Sequence, residues 1–453
     1  MMTWEEKMIR IYENPNEASV ILNRRQMTTV EDVPEVVLDS IKRVFGEALT
    51  PEAAVARLLA DVRVRSDAAL REWTARIDGV TSDVLEVPQT EWETAYQVLD
   101  ADLRTAMETS AGRIRDFHAR QPIPNWTTDA MGGMLGQRLV PLERVGVYVP
   151  GGTAPLPSSL LMAAIPARVA GVDEVIVCSP ADRQTGRISP LTLAAAYIAG
   201  VDRVFALGGA LAVAALAFGT ESVPRVDKVV GAGGIFTTIA KRQVYGIVGL
   251  DGLYGPTETI ILADDSANPA WVAADLLAQA EHDVLATAIL LTPSRALAEA
   301  VQAEVERQTA SLSRADVIRT SLAGQGGIVL TPDLATAVRL ADQFAPEHLC
   351  LSVAEPAAWV DIIRNAGGIF VGEHSFEVLG DYVTGPSHIM PTGGTARFKG
   401  PVNVLDFVKV INIIGLDAAT ARRLAPAAAR IADAESLTAH GAAAKFRSVD
   451  SAG

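Results

Sequence analysis

Six histidines serve a chain of 453 residues, and most of them sit inside short polar motifs. Gln279-Ala280-Glu281-His282 closes a stretch of helical pattern, and the spacing puts Gln279 and His282 on one helix face, where both can point at one ion. Further along stand Glu347-His348, Gly380-Asp381-Tyr382 and Gly385-Pro386-Ser387-His388, and then Glu435 shortly before His440. One amide oxygen (Gln279), one carboxylate (Asp381) and two imidazoles (His282, His440) form a mixed oxygen and nitrogen set of the kind zinc accepts, although such a set tolerates other divalent ions. Glu347-His348 joins a carboxylate able to activate water to an imidazole suited to general-base work near neutral pH. Together these residues predict a metal-centred active site. The plainer reading is that each is a separately satisfied polar side chain: Gln-x-x-His alone is a weak signal, and Glu-His is often an ordinary exposed dipeptide.

Other polar features are less specific. His118, between Phe117 and Ala119 in a helical stretch, has no polar companion and predicts a structural role, while His374 stays open. Tyr148 lies at the end of an apolar run that continues into Pro150-Gly151-Gly152, a strand, turn and helix shape able to accept a cofactor phosphate. The dinucleotide fingerprint GxGxxG is missing, and Gly231-Ala232-Gly233-Gly234 only approximates it. Cys178 and Cys350 occupy apolar runs with no CxxC pair, which predicts inert core thiols.

Groups so far apart need a scaffold to bring them together. From 29 to about 118, apolar residues recur at three- and four-residue spacing, which predicts packing helices. At Arg144 the texture changes. Strands over 145–149, 174–178, 203–206 and 227–230 alternate with helices over 158–170, 190–199, 210–218 and 236–244, and such repeats predict a parallel sheet wrapped by crossover helices. A second series begins with a strand over 259–263 and a helix over 269–281. It continues with strands over 287–291, 328–330, 349–353 and 368–371.

The predicted fold class is therefore α/β, with two Rossmann-like parallel-sheet domains flanking a cleft, a helical N-terminal region and a C-terminal tail. Residues 1–28 form an arm, 29–143 with 257–385 a first α/β domain carrying the metal and catalytic residues, and 144–256 the second domain. Residues 386–453 form a C-terminal loop and an Ala-rich helical tail. Ligands are expected beyond the carboxyl ends of the strands, in the cleft. The segment 380–400 is too polar and turn-rich for core and predicts a long functional loop.

Composition narrows the partners. The formal net charge of -15 argues against nucleic acid, since phosphate binding requires a cationic surface. No run approaches the roughly 18–20 apolar residues of a bilayer span, and the N-terminal residues lack an apolar signal core. These features predict a cytoplasmic protein with small-molecule ligands and no membrane partner.

Taken in order, 145–157, 216–227, 275–282, 344–349 and 380–398 resemble the histidinol dehydrogenase family over nearly the whole chain. The combination of QAEH, APEHL, GDY and GPSH is highly specific. The resemblance implies a zinc-dependent homodimer, one ion per subunit, that uses two NAD in succession to oxidise L-histidinol through an aldehyde to L-histidine, the last steps of histidine biosynthesis. It assigns Gln279, His282, Asp381 and His440 to zinc, with His440 of the partner subunit completing each site, so that the tail serves dimerisation and the active sites are shared. His348 becomes the base and Glu347 the residue that activates water. Thr257, His388 and Glu435 join the four zinc ligands and His348 as substrate contacts. Tyr148, Leu211 and Gly234 fall at cofactor-contacting positions.

The chain also departs from the family pattern. Leu211 stands where the family commonly has glutamine, and Gly231-Ala232-Gly233-Gly234 where it has Gly-Pro-Gly-Asn. Thr257 replaces a serine, and Tyr254 a usually small residue. Three other readings follow: a paralogous zinc and NAD dehydrogenase of another small polar alcohol such as a sulfonated diol, a zinc hydrolase without NAD, and a metal-stabilised dimer without catalysis. A sulfonated substrate would want a cation for its head group and no Glu435 for an ammonium, so retained Glu435 favours histidinol.

Overall fold

The computed structural model describes residues 7–23, 35–82, 84–151 and 155–448. A short strand β1 (Ile11–Tyr12) precedes the helices Glu35–Phe45, Pro51–Arg65, Asp67–Asp78, Gln89–Gln97 and Ala101–His118. Local chemistry fixes several of their starts. Thr50 accepts from the Ala53 N–H with Pro51 at the first helical position, and Asp100 accepts from the N–H groups of Asp102 and Leu103. Strands β2 (Trp126–Thr128) and β3 (Gly133–Pro141) follow, then β4 (Arg144–Tyr148), β5 (Glu174–Ser179), β6 (Arg203–Ala206), β7 (Lys228–Val230) and β8 (Gly249–Leu250). The last five form one parallel sheet in the order β6-β5-β4-β7-β8.

A second parallel sheet contains β9 (Glu258–Ala263), β10 (Thr287–Thr292), β11 (Gly327–Leu330), β12 (His348–Ser352) and β13 (Gly368–Val371). It takes β1 as an edge strand, in the order β1-β11-β10-β9-β12-β13. The predicted α/β class with two parallel sheets is what the chain forms. Side-chain alternation explains why these strands are apolar throughout: Val175 and Val177 enter one core with the helices Pro157–Ala170 and Pro190–Ala199, while Ile176 and Cys178 enter another with Gly209–Phe218 and Ile235–Val244. The second sheet is likewise covered on both faces. Both cysteines are buried free thiols, and burial pushes each pKa up.

Four expectations need correction. The helices between 35 and 118 pack on the β4–β8 sheet, contributing Trp92, Met107 and Ile114 to one of its cores and Val55, Leu58 and Trp73 to the other. They do not belong with 257–385, because their apolar faces complete the covering of the first sheet; residues 29–34 lie outside the described residues. Nor is the N-terminal segment a separate arm: Ile9, Tyr12, Ala18 and Ile21 are buried in the cores of the second sheet.

Nor is the segment 380–400 kept out of the interior by its polar, turn-rich sequence. It begins within the helix Glu377–Tyr382, and Ser387, Ile389, Met390 and Thr392 are buried. Finally, an antiparallel sheet of order β14-β3-β2, with β14 spanning Val408–Leu416, was not anticipated. β14 and β3 pair along their whole length and leave Met134, Val410, Ile411 and Ile414 exposed. The helices Ala418–Ala434 and Thr438–Phe446 follow and pack on each other, with Ile431 and Phe446 also exposed. No helix among the described residues is long and apolar enough to cross a membrane.

Candidate active site

Residues distant in sequence meet at the amino ends of β9 and β12. Parallel register sets His348 beside Thr259, so the two side chains leave the same face of the sheet. The chain enters β12 from the helix Leu334–Phe344 through Ala345, whose φ of 54° is left-handed. A non-glycine residue in that conformation, directly before Pro346, is strained. The turn carries Glu347 and His348 into the interior, where they are 7% and 4% exposed, so an ordinary surface dipeptide is excluded.

Glu347 Oε2 accepts from the Thr257 hydroxyl at 2.6 Å and from the Glu258 N–H at 3.2 Å. Thr257 in turn accepts from Gln279 Nε2 at 3.0 Å, which leaves the Gln279 amide oxygen its acceptor capacity. The helix Pro269–Ala280 ends before His282, contrary to the predicted helix end at 281. A turn bond from the His282 N–H to the Gln279 carbonyl, 3.3 Å, holds the two together instead. His282 reaches solvent, yet desolvation by the protein around its ring, and then the neighbouring His348, lower its pKa.

The GDY and GPSH motifs close the other side. His388 Nδ1 lies 2.8 Å from the Asp381 carbonyl, and because a carbonyl can only accept, that nitrogen carries the proton. Nε2 then accepts from the Ser159 hydroxyl at 3.2 Å. Ser159 belongs to the helix Pro157–Ala170, so His388 spans from the β9–β13 unit to the β4–β8 unit.

Burial dominates the electrostatics. It pushes Glu347 up to about 7 against the opposing effects of His348 and Thr257, and Asp381 up to about 6 against His348. Glu377, one helical turn before Asp381, rises to about 8 for the same reason, and burial lowers His388 to about 4. Several carboxyl groups displaced toward neutral pH in one place are a marker of a functional site. Glu377 and Thr259 were missed from the sequence. The four-residue spacing from Glu377 to Asp381 was the available signal.

This cluster lies at the amino ends of its strands, so the expectation of a site beyond the carboxyl ends fails for the second sheet. Tyr148 ends β4, next to β7, and there Gly231 has a φ of 115°; a Cβ on Gly231 would come within 2.1 Å of the Tyr148 carbonyl oxygen. The Tyr148 hydroxyl accepts from the Gly209 N–H at 3.1 Å. Gly234 caps the helix Ile235–Val244, and a Cβ there would meet nothing within 4 Å. Leu211 is 1% exposed, inside an apolar core and beside a cavity of about 130 Å³. Its side chain therefore serves packing and offers no polar contact. Gly152, in the predicted phosphate-accepting turn, lies outside the described residues.

Glu435 and His440 are not brought to the cluster within one subunit; both are exposed on the tail. Among the described residues no group of three or more His, Cys, Asp and Glu stands ready for a metal. Gln279, His282 and Asp381 supply an amide oxygen, an imidazole and a carboxylate, donor types that fit zinc but number one fewer than its usual four.

The histidinol dehydrogenase family model matches residues 45–448. The histidinol dehydrogenase of Deinococcus radiodurans is 50% identical over 417 residues, covering 92% of this chain and 95% of that protein. That of Thermus thermophilus is 53% identical over 391 residues, covering 86% and 93%. A solved structure of histidinol dehydrogenase from Elizabethkingia anophelis matches with a TM-score of 0.89 at 30% identity, over 98% of this chain and 99% of that one.

Proposed function

The chain belongs to the histidinol dehydrogenase family, and from that premise we propose that its buried Glu347-His348 cluster oxidises L-histidinol through the aldehyde to L-histidine, as a cytoplasmic homodimer, with NAD as oxidant. The observation that carries this reading is the burial of both residues beside Thr257, Gln279, Asp381 and His388.

In this reading Gln279, His282 and Asp381 hold one zinc ion with His440 of the partner subunit. The tail supports sharing of that kind: its two helices pack on each other, leave apolar residues exposed and hold His440 and Glu435 at the surface. Zinc supplies an anchor for the substrate's nitrogens and NAD the acceptor for its hydride. The chain's own residues do the rest. His348 takes the alcohol proton as the hydride departs, and Glu347, poised near neutrality, draws a proton from the water that adds to the aldehyde. His388, neutral and held between the two units, orients the substrate with Thr257 and Glu435.

The β4–β8 unit serves as a Rossmann-like cofactor domain. Support comes from its strand order, with β4 between β5 and β7, and from the helix N-termini at Gly209 and Ile235 beyond the strand ends. With Leu211 in the core and no side chain on Gly234, recognition of NAD there falls to backbone N–H groups and Tyr148.

The test is NADH formation with L-histidinol in the presence of zinc. Two NADH per substrate with histidine as product is expected; no turnover by protein that binds both NAD and zinc would point to another small polar alcohol.

A further inference from the structure

The two ring nitrogens of His348 face different surroundings. Nδ1 lies 3.3 Å from Thr259 Oγ1, 3.7 Å from Glu377 Oε1 and 3.9 Å from Glu347 Oε2. Nε2 is buried and hydrogen-bonded to no protein group. Thr259 has a single hydroxyl proton, which it donates to Glu377 Oε2. While Glu377 is ionised, Thr259 can therefore only accept toward His348, and Nδ1 carries the N–H. Glu347 Oε2, at 3.9 Å, is beyond hydrogen-bond distance of Nδ1 and is not a competing acceptor.

We propose that Thr259 and Glu377 are positioning residues that hold His348 in the Nδ1–H tautomer, leaving the Nε2 lone pair as the working base. This deepens the reading of His348 given above and rests on it. The fold fixes the arrangement from both sides. Thr259 is the register partner of His348 on β9 and is fully buried, while the partner on β13, Gly368, offers no polar side chain. Glu377, 1% exposed, opens the helix that also carries Asp381, so one short element sets both the carboxylate behind the base and the one beside the substrate.

The tautomer can be read without turnover. The chain has six histidines, so isotope-labelled histidine, with His348→Gln for assignment, resolves this ring by NMR. At a pH above about 8, where Glu377 is ionised, the wild type is expected to be Nδ1–H. Glu377→Leu frees the Thr259 hydroxyl to donate to Nδ1 and moves the proton to Nε2; Thr259→Val removes the bias, and Thr259→Ser restores it. In Glu377→Leu and Thr259→Val, kcat is expected to fall about 10²–10⁴-fold, with KM for the alcohol within about threefold. An Nε2–H ring in the wild type, or ring signals unchanged in both Glu377→Leu and Thr259→Val, overturns the proposal. A wild-type protein that is Nδ1–H but fails to oxidise histidinol contradicts the proposed substrate and leaves the tautomer assignment standing.

Discussion

Lys241→Met should destabilise this protein by about 3 kcal/mol, because it breaks a buried ion pair and strands its carboxylate. Lys241 Nζ lies 2.6 Å from Asp251 Oδ1 and 2.7 Å from the Gly231 carbonyl, and the two side chains are 2% and 0% exposed. Losing one member of such a pair costs about 3–5 kcal/mol. The lower end applies here, since Asp251 would keep the N–H groups of Gly231 and Gly252 and the Tyr254 hydroxyl, at 2.7, 2.8 and 3.0 Å. Methionine preserves most of the lysine stem, so the change removes the charge together with its contact over the Tyr254 ring, 4.8 Å from Nζ to the ring centre. The assay is urea denaturation followed by tryptophan fluorescence, for which Trp73 and Trp92 are buried reporters in helices packed on the β4–β8 sheet. A lower midpoint with an unchanged slope is expected. Asp251→Asn alone should also destabilise, while the double variant should lie more than about 1 kcal/mol closer to the wild type than the sum of the singles. The same pair holds both the N–H and the carbonyl of Gly231, beside Tyr148, so KM for NAD should rise more than kcat falls. A Lys241→Met loss below about 1 kcal/mol, or strict additivity in the double variant, would refute the reasoning.

Three further outcomes follow. His440→Ala should lower bound zinc without unfolding the subunit, since the residue is exposed on the subunit's own surface; unchanged metal on elemental analysis would remove it from the ligand set. Mixing His440→Ala with His348→Ala subunits should restore part of the activity in verified heterodimers, and no recovery would argue against shared sites. Burial, and then Glu373, raise Asp275 to about 7 in the folded chain, so the unfolded state loses this proton first as pH rises. Stability from this group is full below about pH 4 and falls toward pH 7 by roughly 3–4 kcal/mol. Asp275→Asn should flatten that decline in denaturation midpoints, and an unchanged pH profile would count against it.

Apart from the two-residue strands β1 and β8, the strands of both parallel sheets were legible because the inner ones are buried on both faces and read as continuous apolar runs. β3 and β14 were not. β3 is mostly half-buried and β14 mostly exposed, and each is recognisable only through its pairing with the other, far away in sequence. The segment 380–400 read as too polar for core for a related reason: its residues bond to both sheet units, Ser387 to the Met162 carbonyl and the Gly393 N–H to Glu258, which a one-dimensional hydropathy pattern cannot register.

The motif residues themselves were fixed by the sequence, since donor types and spacing are local properties: Glu347-His348, Gln279 with His282, Asp381 and His388 do assemble. What they assemble into was decided by tertiary structure. Register between β9 and β12 put Thr259 against His348, the path of the 377–390 segment brought Glu377 behind it, and the direction of the strands placed the cluster at their amino ends. Burial, which moved Glu347 and Asp381 toward neutrality, exists only once the two sheet units close around those groups, because desolvation depends on neighbours in space and not along the chain.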